Sequence, residues 1–205
     1  MGLIGVFIKN SLPDTSLEIM KEKLSILKEP FLKSFNPSVK SRKDRIERVI
    51  KLIEENSDQI HAVISKDFGS RHEQLSQLTD TLATISHAKH VLKKVSSWVK
   101  PDRRKSRFPL NLLGSSAYVH NQPLGVIGII APWNFPISLS LGPLIEVFAA
   151  GNNAMMKLSE FVPETSKLID ELIKKYFSEE EVVVINGGVQ TSTDFTKLKF
   201  DHLVY

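Results

Sequence analysis

The sequence contains no cysteine, which excludes disulfides, thiolate metal sites and any cysteine nucleophile within these residues. It also lacks a strong excess of one charge. Lys and Arg number 27 against 23 Asp and Glu, a net +4, too thin a surplus to suggest a nucleic-acid surface. Long apolar runs are missing as well. The run that opens the chain, Gly2 to Ile8, has no basic residue before it and falls far short of the ~20 residues that cross a bilayer. Met1-Gly2 resembles the start of an acylation signal, but Val6 stands where that signal wants Ser or Thr. These absences lead us to expect a cytoplasmic protein with neither membrane nor nucleic-acid partner. No G-x-G-x-x-G follows any strand pattern, and no G-x-x-x-x-G-K-[ST] loop exists. What is present is 205 residues, 41% hydrophobic and 24% charged, a globular composition long enough to bury one substantial core.

From Leu17 to about Lys100 the pattern is helical, interrupted only around Pro30, Pro37 and Gly69, and it reads as roughly three or four helices. Ser41 with Asp44 has the look of a capping box, after which Ile46, Val49, Ile50 and Ile53 recur along one face. Ser57 reads as the cap of the next helix. Leu75, Leu78, Leu82, Ile85, Leu92 and Val95 form a second apolar stripe, expected to lie on a core. His87 and His90 share a helical face, but without a third ligand at suitable spacing they read as a wet surface pair. The basic stretch Lys100 to Pro109 reads as a solvated connector. It marks a boundary between a helical region, 1–110, and an α/β region, 111–205. Its other reading, nucleic-acid contact through Arg103, Arg104, Lys105 and Arg107, implies strongly salt-dependent binding.

Beyond the connector, Ser115 to His120 reads as a strand. Strands at Gly125 to Ile130, Asn153 to Leu158, Val182 to Ile185 and His202 to Tyr205 then alternate with helices near Ser138 to Ala150, Glu164 to Phe177 and Thr191 to Leu198. Such spacing means βαβ units and a doubly wound parallel sheet with right-handed crossovers. The nearly continuous apolar run Gly125 to Ile130 suits a strand buried on both faces.

In an open α/β sheet the ligand crevice lies beyond the carboxyl ends of the strands. After Ile130 comes Ala131-Pro132-Trp133-Asn134-Phe135-Pro136, where two prolines hold a stiff, extended loop. An amide fixed there can donate to an oxygen gaining negative charge; equally, Asn134 can brace its own loop. The second loop carries Lys157 and Glu160, suited to ribose hydroxyls or simply a charged helix entry. The third, Asn186-Gly187-Gly188, permits positive φ or close approach of a ligand.

Taken together, Gly125 to Glu160, with its PWNFP loop, AAGN turn and K-x-x-E pair, resembles the cofactor-binding segment of the aldehyde dehydrogenase superfamily. Ile185 to Val189 (INGGV) and Phe200 to Tyr205 (FDHLVY) resemble its class 3 branch, and Asp67-Phe68-Gly69 resembles coniferyl aldehyde dehydrogenases within that branch. The resemblance implies an N-terminal helical region with part of a Rossmann-like sheet, truncated before the catalytic domain. It implies that Asn134 donates to the oxyanion of a thiohemiacetal, that Lys157 and Glu160 hold the adenosine ribose of NAD, that Ile130 and Trp133 line the cofactor channel, and that Gly188 approaches the adenine. Glu160 would repel a 2′-phosphate and favour NAD over NADP. An aldehyde substrate and a homodimeric parent are implied too. Departures from the family pattern are Leu158, where Pro is usual and whose loss is expected to loosen the loop, and Glu146, a carboxylate expected to be costly if it faces the sheet. The other reading is a non-catalytic remnant or a partner-binding helical module.

Covalent aldehyde oxidation of this kind needs a thiolate, and these residues supply none. The 205-residue chain by itself is therefore expected to give no aldehyde-dependent NADH. Turnover above a heat-killed control, in a preparation free of host dehydrogenases, would overturn this.

Overall fold

The computed structural model describes residues 12–33 and 35–205; the opening run Gly2 to Ile8 lies outside them. Helices α1 (Leu17–Lys33), α2 (Val39–Glu55), α3 (Ser57–Phe68) and the single turn α4 (Glu73–Ser76) lead through a π-helical turn, Gln77–Leu82, into α5 (Ala83–Trp98). There follow β1 (Asp102–Arg104), β2 (Ala117–Val119), β3 (Val126–Ile130), α6 (Ser138–Ala150), β4 (Asn153–Lys157), α7 (Pro163–Tyr176), β5 (Val182–Ile185), α8 (Val189–Thr196) and β6 (His202–Val204).

The last four strands form a parallel sheet in the order β5-β4-β3-β6. Their side chains alternate between two cores, as the two-residue strand period requires. Ile127, Ile129, Ala154, Met156 and Val182 face α2, α5, α6 and α7. Val126, Met155, Val183 and Ile185 face the other way, onto Met20, Leu24 and Leu27 of α1 and Phe195 of α8. The expected doubly wound sheet is thus observed, with strand ends within one residue or so of their expected places.

Several local expectations are corrected. Ser38, not Ser41, caps α2: its Oγ accepts the Ser41 amide at 3.2 Å, because Ser38 is itself extended and the chain turns helical already at Val39. Ser57 is the first residue of α3 and Asn56 precedes it as cap, with its amide committed to the Leu52 carbonyl at 2.7 Å. Of the long stripe, Val95 is buried, but Leu75, Leu78 and Leu82 are 49%, 64% and 50% exposed. The wide π turn alters the helical phase, so that Ser76, Asp80, Thr81 and Thr84 face inward in their place.

The basic connector is not wholly loop, since β1 lies within it and pairs antiparallel with β2 from Asp102 opposite Val119 to Arg104 opposite Ala117. The strand expected at Ser115 to His120 therefore belongs to a separate two-stranded ribbon. This ribbon straddles residue 110, while one core joins α2 and α5 to the sheet beyond it. Glu146 faces away from the sheet and meets His87 at 2.8 Å. Among the described residues no group of three or more His, Cys, Asp or Glu is placed to hold a metal ion, and no helix is long and apolar enough to cross a membrane.

Buried polar contacts fix the helices to the sheet. The AAGN turn ends α6 at Gly151, whose φ of 86° a side chain rarely adopts and where a Cβ would come within 2.7 Å of the Arg42 guanidinium. Arg42 donates to the Ala149 carbonyl at 2.9 Å. Asn152 Oδ1 accepts the Leu124 and Gly125 amides at 2.7 and 2.9 Å, stitching the start of β3.

On α2, Arg45 and Arg48 hold Glu181 ahead of β5, at 3.1 and 2.6 Å. Burial alone would raise the Glu181 carboxyl, but the Arg48 and Ser178 hydrogen bonds and both arginine charges hold it below the ordinary glutamate range. A depressed folded-state value stabilises above the unfolded value of ~4.3, and that contribution is lost as pH falls through the folded value. Glu181→Gln is expected to cost about 1.5–3 kcal/mol at neutral pH. In urea unfolding across a pH series, its deficit against the parent should shrink below about pH 4; a deficit constant with pH would refute the assignment.

Candidate functional site at the carboxyl end of the sheet

Counted from β3, the parallel strands run in the spatial order three, two, one, four, so the winding reverses between β3 and β6. Crossover helices leave on opposite faces there, opening a crevice beyond the carboxyl end of β3. The loop with the two prolines emerges at this point. Ile130, half-buried, stands in register with Lys157 of β4, and the Ala131 amide continues the ladder onto the Lys157 carbonyl at 3.0 Å.

Trp133 and Asn134 then turn outward. Trp133 is 51% exposed, with its ring 6.1 Å from Phe68. Among the described residues the Asn134 side-chain amide makes no hydrogen bond, so it does not brace its own loop. The bracing comes from elsewhere: Arg71 Nη1 donates to the Asn134 carbonyl at 2.7 Å and Arg71 Nη2 to Asp80 Oδ2 at 2.8 Å. Asp80 Oδ1 accepts the Ile137 and Ser138 amides at 3.1 and 3.3 Å, at the entry to α6. Burial raises the Asp80 carboxyl above its ordinary range, outweighing those amides and the Arg71 charge.

Lys157 is 1% exposed. Its ammonium donates to the Leu158 carbonyl at 2.6 Å and to Glu160 Oε2 at 3.2 Å. Gly188 follows β5, and its amide donates to Asp14 Oδ1 at 2.7 Å. The hydroxyls of Thr191 and Thr15 bond Asp14 and the Asn186 carbonyl, each at 2.7 Å. Gly187 has φ 142°, and a Cβ there would come within 2.2 Å of Thr191 Oγ1. Ile130, Trp133, Asn134, Lys157, Glu160 and Gly188 thus occupy the carboxyl ends of three adjacent strands.

A match to the aldehyde dehydrogenase family extends over residues 18–199, across every one of these positions. The chain belongs to the aldehyde dehydrogenase family. A probable coniferyl aldehyde dehydrogenase of Caulobacter vibrioides is 40% identical over 193 residues, 94% of this chain and 40% of its own length. Aldehyde dehydrogenase family 3 member A2 of Macaca fascicularis is 30% identical over 188 residues, 91% of this chain and 38% of its own. Among solved structures, the substrate-bound state of a Staphylococcus aureus AldH superposes with a TM-score of 0.85 at 27% identity, covering 91% of this chain and 40% of that one. The chain therefore spans about 40% of the length of the relatives it matches.

Within this aldehyde dehydrogenase frame, Leu158 gives the K-x-x-E loop a tie that proline could not. Its amide, which a proline lacks, donates to the Ile185 carbonyl at 3.4 Å, and its side chain is buried. Arg71, Asp80 and Asp14 are the site residues missed by sequence reasoning. No local signal marked any of the three, Asp80 standing among the polar residues that flank the apolar stripe rather than on it.

Proposed function

We propose that the whole protein oxidises an aldehyde, aromatic or long-chain, to its carboxylic acid with NAD, and that this chain supplies the cofactor-binding edge and the oxyanion donor. The observation that carries the reading is the Asn134 amide, exposed at the switch point of the sheet and without a hydrogen bond among the described residues. A donor held in place before reaction and aimed at developing charge costs no reorganisation when that charge forms. As an aldehyde oxygen gains negative charge under nucleophilic attack, the amide donates to it. The thiolate that attacks comes from outside these 205 residues, which hold no cysteine.

The cofactor fits the residues present. Glu160 is half-buried and, among the described residues, engages Oε2 alone, on Lys157, which lets Oε1 accept from a ribose hydroxyl. Lys157 has three donors, two of them engaged. Ile130 and Trp133 would line the channel, and Gly188, whose amide is committed to Asp14, would offer adenine its bare Cα. When bound, NAD supplies the hydride acceptor.

Two substitutions test this in a chimera completed with the remaining length of the Caulobacter relative. Asn134→Ala should lower kcat about 10²–10³-fold, or ~2.7–4 kcal/mol, while NAD affinity measured by titration stays nearly constant; an unchanged kcat would remove Asn134 from the chemistry. Glu160→Gln should narrow the preference for NAD over NADP, because a carboxylate at the 2′-hydroxyl repels a 2′-phosphate. An unmoved ratio of kcat/KM values would show that Glu160 does not read that position.

A further inference from the structure

The mechanism leaves Arg71 and Asp80 unused, although both are almost wholly buried, with 6% and 0% of their side chains exposed. Taking two charges out of water costs several kcal/mol per ion and is recovered only with good geometry and further hydrogen bonds. Apart from one to Thr79, those further bonds reach one place. From Arg71 one nitrogen goes to the Asn134 carbonyl, while another goes to Asp80 and to the Thr79 hydroxyl at 2.9 Å. From Asp80 the second oxygen takes the amides of Ile137 and Ser138. The segment carrying Asn134 is therefore held on its own carbonyl and again where it enters α6.

We propose that Arg71 and Asp80 form a clamp that positions the Asn134 loop, making both of them positioning residues for the oxyanion donor; this rests on the reading of Asn134 given above.

Three features suit the pair to that task. The guanidinium lies between two rings, 4.9 Å from the centre of Phe68 and 5.1 Å from that of Phe135, so its plane is fixed and its donors point in set directions. Phe135 neighbours Asn134, which makes one stacking partner part of the loop being held. The π turn Gln77–Leu82 turns Asp80 inward at the cost of exposing Leu78, and such turns recur at functional sites. Finally, Pro132 and Pro136 have no amide hydrogen, so the loop cannot form a regular ladder and depends on contacts from outside itself.

The test is 15N relaxation on the 205-residue chain carrying Arg71→Lys, Arg71→Met or Asp80→Asn. Lysine keeps a cation beside Asp80 but cannot bridge two acceptors with a planar fork, which covers the case in which the methionine variant fails to fold. In the parent, the Asn134 backbone amide should be rigid, with an order parameter near ~0.85; in the variants it should fall below ~0.6 while β4 amides stay rigid. An Asn134 amide that stays rigid in the folded variants would overturn the clamp, as would equal loosening of β4. These readouts are independent of catalysis. An unchanged kcat in Asn134→Ala would remove the reading of Asn134 while leaving the relaxation result to decide the clamp.

Discussion

Strand β3 has a strand on each side and a core on each face, and every other placement at the site follows from that confinement. Val126 and Ile129 are buried on opposite faces, which leaves no solvent side to accept a polar residue. At Gly128 even a methyl group would come within 2.7 Å of the Phe200 and Leu203 side chains, which pack over β3 where that position is bare. The amino end of the strand is pinned twice, by Asn152 on the Leu124 and Gly125 amides and by Asp201 Oδ2 on the Val126 amide at 2.8 Å. The carboxyl end then has one exit, between the two helix layers. A loop that starts there is aimed before any of its own residues contributes.

The backbone plan was legible because it depends on patterns that survive averaging. The alternation of short apolar runs with helical stretches located the four strands of the sheet, and Ile46, Val49, Ile50 and Ile53 located the inward face of α2, all four of them buried. What stayed hidden depends on single phases and distant partners. One π turn moved Leu75, Leu78 and Leu82 outward, and no count of three- and four-residue steps registers an extra residue in one turn. Glu146 looked costly because its helix is nearly all apolar, yet it falls on the one side of α6 that meets His87. Strand β1 was read as part of the connector because three residues within a basic, proline-bounded stretch carry too little periodicity to be recognised.

The candidate site divides along the same line. Asn134, Lys157 and Glu160 were found because they sit in motifs contiguous with a strand end. Arg71 reaches Asn134 across 63 positions, Asp80 reaches Ile137 across 57 and Asp14 reaches Gly188 across 174. Spacing carries no trace of such contacts. Their residue types are also those expected on any wet helix or loop, so nothing in the local chemistry sets them apart.

Two carboxylates show how differently this fold uses charge. Glu181 is pulled below its ordinary range by two arginines and so stabilises the folded chain at neutral pH. Asp80 is shifted the other way, since burial outweighs its hydrogen bonds. A folded-state value raised above the unfolded one means that Asp80 favours folding most when protonated, and that this advantage is lost as pH rises through the folded value. As a carboxylate, the group therefore carries a burial cost. An apolar residue of similar volume would lift that cost, but it would also leave the Ile137 and Ser138 amides and the Arg71 guanidinium without their acceptor. The carboxylate is retained where geometry matters more than free energy, as expected of a residue serving the site rather than the core.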